Sequence, residues 1–213
     1  MNPPLRATFR RSNMEYAIVF DFDGTLIDSK DVKTRNYVDA FFTIFKPEEK
    51  YRETIKESCI RTSGANRFIQ LADTLKRLNL TATETQKEAW SREYSRLNAN
   101  SLSKIEEFPS VRETLQRLNE RGYHLYAASG ILDEEFKREL KRRKLDVYFR
   151  GIEGGDKLGF LKKLKNRRYR RIVFVGDTEY DRQTAREADV EFFMITNNSD
   201  IEKLGSFLLT LHH

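Results

Sequence analysis

Three short apolar runs, each stopped by a small or carboxylate residue, constrain this chain more than any other feature of its sequence. Tyr16–Phe20 leads into Asp21-Phe22-Asp23-Gly24-Thr25, His124–Ala128 into Ser129-Gly130, and Arg171–Val175 into Gly176-Asp177. Continuous runs rich in β-branched and aromatic residues read as strands buried on both faces. A fourth strand is expected at Phe192–Ile195 and a shorter one near Val147–Phe149. Between the runs, Pro109 starts a helix ending near Gly122, and residues 132–144, 157–168 and 180–188 carry helical spacing. Strands alternating with helices predict an α/β, doubly wound parallel sheet with a Rossmann-like core. Ligands in such sheets gather outside the carboxyl ends of the strands, so Asp21, Asp23, Ser129 and Asp177 are expected to converge.

The pattern changes between residues 30 and 106. Tyr37, Val38, Phe41, Phe42 and Phe45 recur at helical spacing until Pro47. Phe68, Leu71, Ala72, Leu75 and Leu78 form a second stripe, and Thr83 with Gln86 reads as a capping box ahead of a third at Trp90, Tyr94 and Leu97. The expected division is a flexible basic tail at 1–14, a catalytic core at 15–29 and 107–213, and an all-helical cap subdomain inserted at 30–106 that acts as a mobile lid. Cys59 is the only cysteine, which excludes an intramolecular disulfide and cysteine-based zinc sites. No apolar run approaches the ~18 residues of a membrane span, and the first residues lack the apolar segment of a secretory signal, so a cytoplasmic protein without membrane attachment is expected.

The carboxylates carry the chemistry. In an extended segment residues two apart face one side, so Asp21 and Asp23 present their acids together while Phe22 points into the packing. A like-charge pair near 4 Å repels by up to about 4 kcal/mol at an effective dielectric near 20, and Asp177 and Asp181 add to it. A hard divalent cation with oxygen ligands, magnesium, together with one lysine, offsets that crowding. The remaining repulsion favours keeping one carboxyl protonated, as a general acid requires.

Taken in order, Asp21-Phe22-Asp23-Gly24-Thr25, Ser129, Lys157 and Gly176-Asp177-Thr178-Glu179-Tyr180-Asp181 resemble the four motifs of the haloacid dehalogenase superfamily. The resemblance implies that Asp21 attacks phosphorus in line, and that Asp23 protonates the departing oxygen and later deprotonates the hydrolytic water. It also implies magnesium held by the Asp21 carboxylate, the Asp23 backbone carbonyl and the Asp177 carboxylate, with Asp181 supporting the ion from behind. Ser129 matches the hydroxyl that donates to a phosphoryl oxygen, and the Gly130 amide joins it if it opens the next helix. Lys157 matches the charge-neutralising lysine, with Lys162 and Lys163 as competitors. Members that cleave carbon–halogen bonds lack an acid where Asp23 stands, which points instead to phosphoryl transfer. The insert resembles the helical cap of phosphoglycolate phosphatase-like and beta-phosphoglucomutase-like members. Arg61 and Arg67, in the loop-like stretch 61–67, are candidates for meeting an acidic group on the substrate.

The expected function is therefore a magnesium-dependent phosphatase of a small phosphorylated metabolite, working as a monomer or homodimer. A phosphomutase with the same aspartates is the nearest alternative. Residues 135–171 hold 15 Lys plus Arg against 5 Asp plus Glu, which raises a nucleic-acid end phosphatase or a nucleic-acid-binding protein. That reading is disfavoured, because the basic stretch straddles two amphipathic helices whose charged outer faces are ordinary. A signalling receiver domain conflicts with the length and the insert, and a catalytically silent partner protein conflicts with the retention of every motif residue.

Overall fold

The computed structural model describes residues 16–210 except 168 and 198; the basic tail at 1–14 and the final residues 211–213 lie outside them. In chain order the elements are β1 (Tyr16–Phe20), α1 (Lys30–Phe45), α2 (Arg52–Arg61), α3 (Arg67–Arg77), α4 (Glu84–Leu102), α5 (Val111–Glu120) and β2 (His124–Ser129). They continue with α6 (Asp133–Arg142), β3 (Gly151–Gly154), α7 (Lys157–Lys165), β4 (Arg171–Gly176), α8 (Glu179–Ala188), β5 (Glu191–Met194) and α9 (Asp200–Thr210). The chain separates into two compact units, one formed by Ile27–Glu107 and the other by the remaining residues.

The sheet unit is a five-stranded parallel sheet in the order β3-β2-β1-β4-β5. The central strand β1 is buried at every position, as a strand covered on both faces must be. On one face Ala17, Val19, Tyr126, Ala128, Ile172 and Phe174 pack against Phe160, Leu161 and Leu164 of α7 and Ala185 and Ala188 of α8. From β1 the chain builds outward through β2 and β3, then crosses to β4 and β5 on the other side. The carboxyl ends flanking β1 thus form the crevice where strand order reverses.

One strand differs from expectation. The segment around Val147 is a 3-10 turn at Asp146–Tyr148, with Val147 76% exposed, and the edge strand follows it at Gly151–Gly154. An edge strand buries less, so its half-buried Gly-Ile-Glu-Gly carries no apolar run.

The helical unit is organised around Tyr37 and Trp90, with ring centroids 5.2 Å apart, and around Tyr94, which stacks on Trp90 at 5.4 Å. Val38, Phe41, Ile55, Cys59, Leu71 and Leu75 complete this core. Thr83 and Gln86 form the capping box that starts α4. Phe68, expected in the second stripe, is 40% exposed: it shares a helix face with Leu71 and Leu75 but stands in the first turn of α3, at the end of the stripe. Among the described residues no helix is long and apolar enough to cross a membrane.

Candidate active site

The site is built at the ends of β1 and β4. The Asp21 amide donates to the Val175 carbonyl at 2.8 Å, continuing the parallel ladder one residue beyond β1 and setting Asp21 beside the end of β4. Alternation then sends Phe22 into the packing, where it meets Phe136 edge-on at 5.4 Å, while Asp23 emerges half-buried. Asp21 itself is only 2% exposed.

After β4, Gly176 allows the opening of α8 to fold close against the strand end: a Cβ there would stand 2.7 Å from the Asp181 Cβ and 2.8 Å from its Cγ. Asp181 is buried at the third position of α8. Its amide donates to Thr178 Oγ1, while Thr178 Oγ1 and the Thr178 amide donate to Asp181 Oδ2 at 2.5 and 3.2 Å, a reciprocal capping box. The other oxygen, Oδ1, accepts from Lys157 Nζ at 2.7 Å.

Lys157 is the first residue of α7, a helix capped by Asp156, whose Oδ1 accepts from the Gly159 amide at 2.8 Å. The lysine is 4% exposed and also lies 2.9 Å from Asp21 Oδ1, so one ammonium bridges two buried carboxylates. Its competitors Lys162 and Lys163 are both exposed. Burial alone would favour loss of the Lys157 proton, but the carboxylates of Asp181 and Asp21 outweigh it and hold the ammonium well above the usual lysine range. Burial pushes the Asp21 carboxyl well above the ordinary carboxylate range; Lys157 opposes this, and Asp181, Asp177 and Asp23 add to it.

Asp21, Asp177 and Asp181 each offer a carboxylate oxygen, the three lying within 4.8 Å of one another. An all-oxygen set of this density suits a hard divalent cation such as magnesium. Both oxygens of Asp181 already face Lys157 and Thr178, which ties its carboxylate to those two partners. Thr25 Oγ1, fully buried, donates to Asp177 Oδ1 at 3.2 Å, a link across 152 positions that no local pattern announces.

Ser129 closes β2, 1% exposed, and its Oγ accepts from the Ile131 amide at 3.3 Å. Gly130 does not open the next helix, because α6 starts at Asp133 and bent chain intervenes; its amide therefore lacks the helix terminus on which its expected role depended.

The two cap arginines are engaged within the helical unit. Arg61 is exposed and pairs with Asp73. Arg67, expected in a loop, is the first residue of α3 and 4% exposed. Its Nη1 donates to Ser95 Oγ at 2.6 Å and to the Ser91 carbonyl and hydroxyl at 3.2 Å, and its guanidinium lies 5.2 Å from the Tyr94 ring centroid. These bonds hold the Arg67 guanidinium against α4 of the helical unit.

Comparison with known proteins agrees with this geometry. The sequence pattern of the haloacid dehalogenase-like hydrolases matches residues 18–195. A Caldanaerobacter subterraneus protein provisionally named pyrophosphatase PpaX is 29% identical over 191 residues, which cover 82% of this chain and 78% of the relative. Phosphoglycolate phosphatase 1 of Pseudomonas aeruginosa is 28% identical over 204 residues, covering 88% and 72% respectively. The crystal structure of a hydrolase from Pseudomonas syringae shares the fold with a TM-score of 0.71 at 20% identity over 85% of each chain. With acids gathered at the strand ends and the family pattern spanning most of its length, the chain belongs to the haloacid dehalogenase-like hydrolases.

Proposed function

We propose that the chain is a magnesium-dependent phosphatase of small phosphate monoesters that works through a phosphoryl group carried on Asp21. The observation that carries this reading is the buried Lys157 bridging Asp21 and Asp181, beside an Asp177 whose carboxylate stands within 4.8 Å of both acids. A site that needs only to be stable has no reason to crowd three acids around one lysine, whereas one that must present a carboxylate nucleophile and hold a divalent cation does.

In the proposed reaction an Asp21 carboxylate oxygen attacks phosphorus as the ester P–O bond breaks, and Asp23 gives its proton to the departing alkoxide. Water then attacks the phosphorus of the acyl phosphate. Asp23 takes the proton, the Asp21–phosphorus bond breaks, and inorganic phosphate and free Asp21 result. Lys157 neutralises the phosphoryl oxygens and opposes the burial that favours protonated Asp21, and Ser129 Oγ donates to a phosphoryl oxygen. The carboxylates of Asp21 and Asp177 and the backbone carbonyl of Asp23 would hold a magnesium ion, which would supply positive charge to offset the dianionic ester. Thr25 and the Thr178 capping box fix the carboxylates of Asp177 and Asp181. The names of the relatives make pyrophosphate and phosphoglycolate the first two compounds to assay.

The test is phosphate release from p-nitrophenyl phosphate and from these two compounds, with magnesium and with chelator. Asp21→Asn should lose at least ~1000-fold in rate, with unfolding free energy within about 1 kcal/mol of wild type. Acid-quenched turnover should leave a phosphoryl adduct on the peptide containing Asp21. Equal activity in Asp21→Asn, or turnover indifferent to chelator, would sink the reading.

A further inference from the structure

We propose that Asp133, at the start of α6, is a positioning residue for the phosphoryl-binding pair, tying the chain that leaves Ser129 to the chain that leads into Lys157 through its bond to the Gly154 amide. This inference rests on the functional reading above, which has Ser129 and Lys157 grip the same phosphoryl group. Both residues stand at or just beyond the ends of neighbouring parallel strands, and their separation depends on how the two following loops are held together.

Three contacts hold them. Ser129 is the register partner of Gly154, and the Gly155 amide donates to the Ser129 carbonyl at 2.8 Å, which carries the β2–β3 ladder one step past the strands. Asp133 Oδ1 then accepts from the Gly154 amide at 3.0 Å. Gly154 lies so close to the other loop that a Cβ on it would fall 2.7 Å from both the Asp133 amide nitrogen and the Ile131 carbonyl oxygen. The same Ile131 contributes the amide that donates to Ser129 Oγ. Residues 129–133 and 154–157 are therefore one stapled assembly, with the hydroxyl at one end and the ammonium at the other. Asp133 joins the two loops through its side chain, so it can be altered without touching the strands. β3 is an edge strand of four half-buried residues, with little packing of its own to fix its end.

A different account makes Asp133 matter to its helix alone, as a negative charge in the first turn of α6 that pairs with Lys137 one turn later. The two accounts separate by what each substitution keeps. Asp133→Asn retains an acceptor at Oδ1 but loses the charge. Asp133→Glu retains the charge, the first-turn position and reach to Lys137, but moves the acceptor by one methylene. Lys137→Ala removes the ion pair and leaves the Gly154 bond.

The experiment measures kcat and KM for p-nitrophenyl phosphate hydrolysis with saturating magnesium, together with melting temperatures, in wild type, Asp133→Ala, Asp133→Glu, Asp133→Asn and Lys137→Ala. Asp133→Ala and Asp133→Glu should lose roughly 10- to 100-fold in kcat with KM changed less than about 3-fold, since misplaced donors cost most where charge develops. Asp133→Asn should recover most of that rate, and Lys137→Ala should match wild type. Should Asp133→Ala fail to fold, the Glu and Asn variants decide between them. An active Asp133→Glu beside an impaired Asp133→Asn overturns the inference, as does full activity in a folded Asp133→Ala. Failure of the wider reading looks different, because it leaves Asp21→Asn active whatever happens at position 133.

Discussion

In the helical unit a buried charge is met by neutral acceptors, and in the sheet unit buried charges are met chiefly by one another. Arg67 directs its donors to the Ser91 carbonyl and the hydroxyls of Ser91 and Ser95. Nearby, the Tyr37 hydroxyl meets Thr74, Thr74 donates to Ser58, and Ser58 donates to Asp73, which pairs with Arg61. Each group along that route has a local partner of complementary character. At the end of β1, by contrast, Lys157 serves two carboxylates while Asp177 and Asp23 press on Asp21. The first arrangement suits holding helices in register. The second leaves a surplus of acidic groups, which costs stability and which a bound divalent cation would offset.

Removing the shared cation should expose that difference most. Lys157→Ala should cost about 3–5 kcal/mol in urea unfolding at about pH 7.5 without metal, because two buried acids lose their counter-charge; a loss under about 1 kcal/mol would contradict the crowding described here. Arg67→Ala should cost about 2–3 kcal/mol by the same assay, with the rate per folded molecule on p-nitrophenyl phosphate within about 3-fold of wild type. A large catalytic loss there would return Arg67 to the substrate. Magnesium should stabilise the wild type by about 1–3 kcal/mol at roughly 10 to 100 times its dissociation constant, and Asp177→Asn should abolish that gain in a thermal-shift titration.

The smallest effect concerns Cys59 in the helical core. Burial pushes its thiol up to about 12, partly opposed by Thr34 and Lys33. The folded pKa lies above the unfolded one, so the contribution of the neutral thiol to stability is complete below the ordinary thiol range and fades as pH climbs toward about 12. Iodoacetamide at about pH 8 should therefore label the native protein far more slowly than the urea-unfolded chain, and equal rates would show a thiol open to solvent.

Much of the sheet was legible because central parallel strands must be apolar throughout. Tyr16–Phe20, His124–Ser129 and Arg171–Gly176 announce themselves, and the polar residues that stop them mark the crevice. β3 was not legible: Gly and Glu are poor strand formers, and the apolar Val147 nearby is an exposed turn residue. α2 also gave little signal, because its Arg-Glu-Thr-Ile-Lys-Glu-Ser-Cys-Ile-Arg buries only Ile55, Ser58 and Cys59. Asp21, Lys157, Asp177 and Asp181 could be picked out by type and position. The parts played by Thr25, Thr178 and Asp133 could not, since each acts by a bond whose partner is chosen only once loops meet. Arg67 misled for a related reason: a glycine and small polar residues before it resemble a loop, yet Asn66 caps a helix there by accepting from the Phe68 amide at 2.9 Å.

The bond from the Asp21 amide to the Val175 carbonyl has a consequence for how this protein tolerates change. The Asp21 side chain hangs directly from the hydrogen-bonded β1–β4 ladder, on the same lattice that delivers Gly176 and Asp177. A substitution that spreads β1 from β4 therefore displaces Asp21 and the loop that carries Asp177 in a single movement. A change on the solvent face of a surrounding helix has no such lever, because that face bears on neither strand and leaves the separation of the two carboxylates as it was.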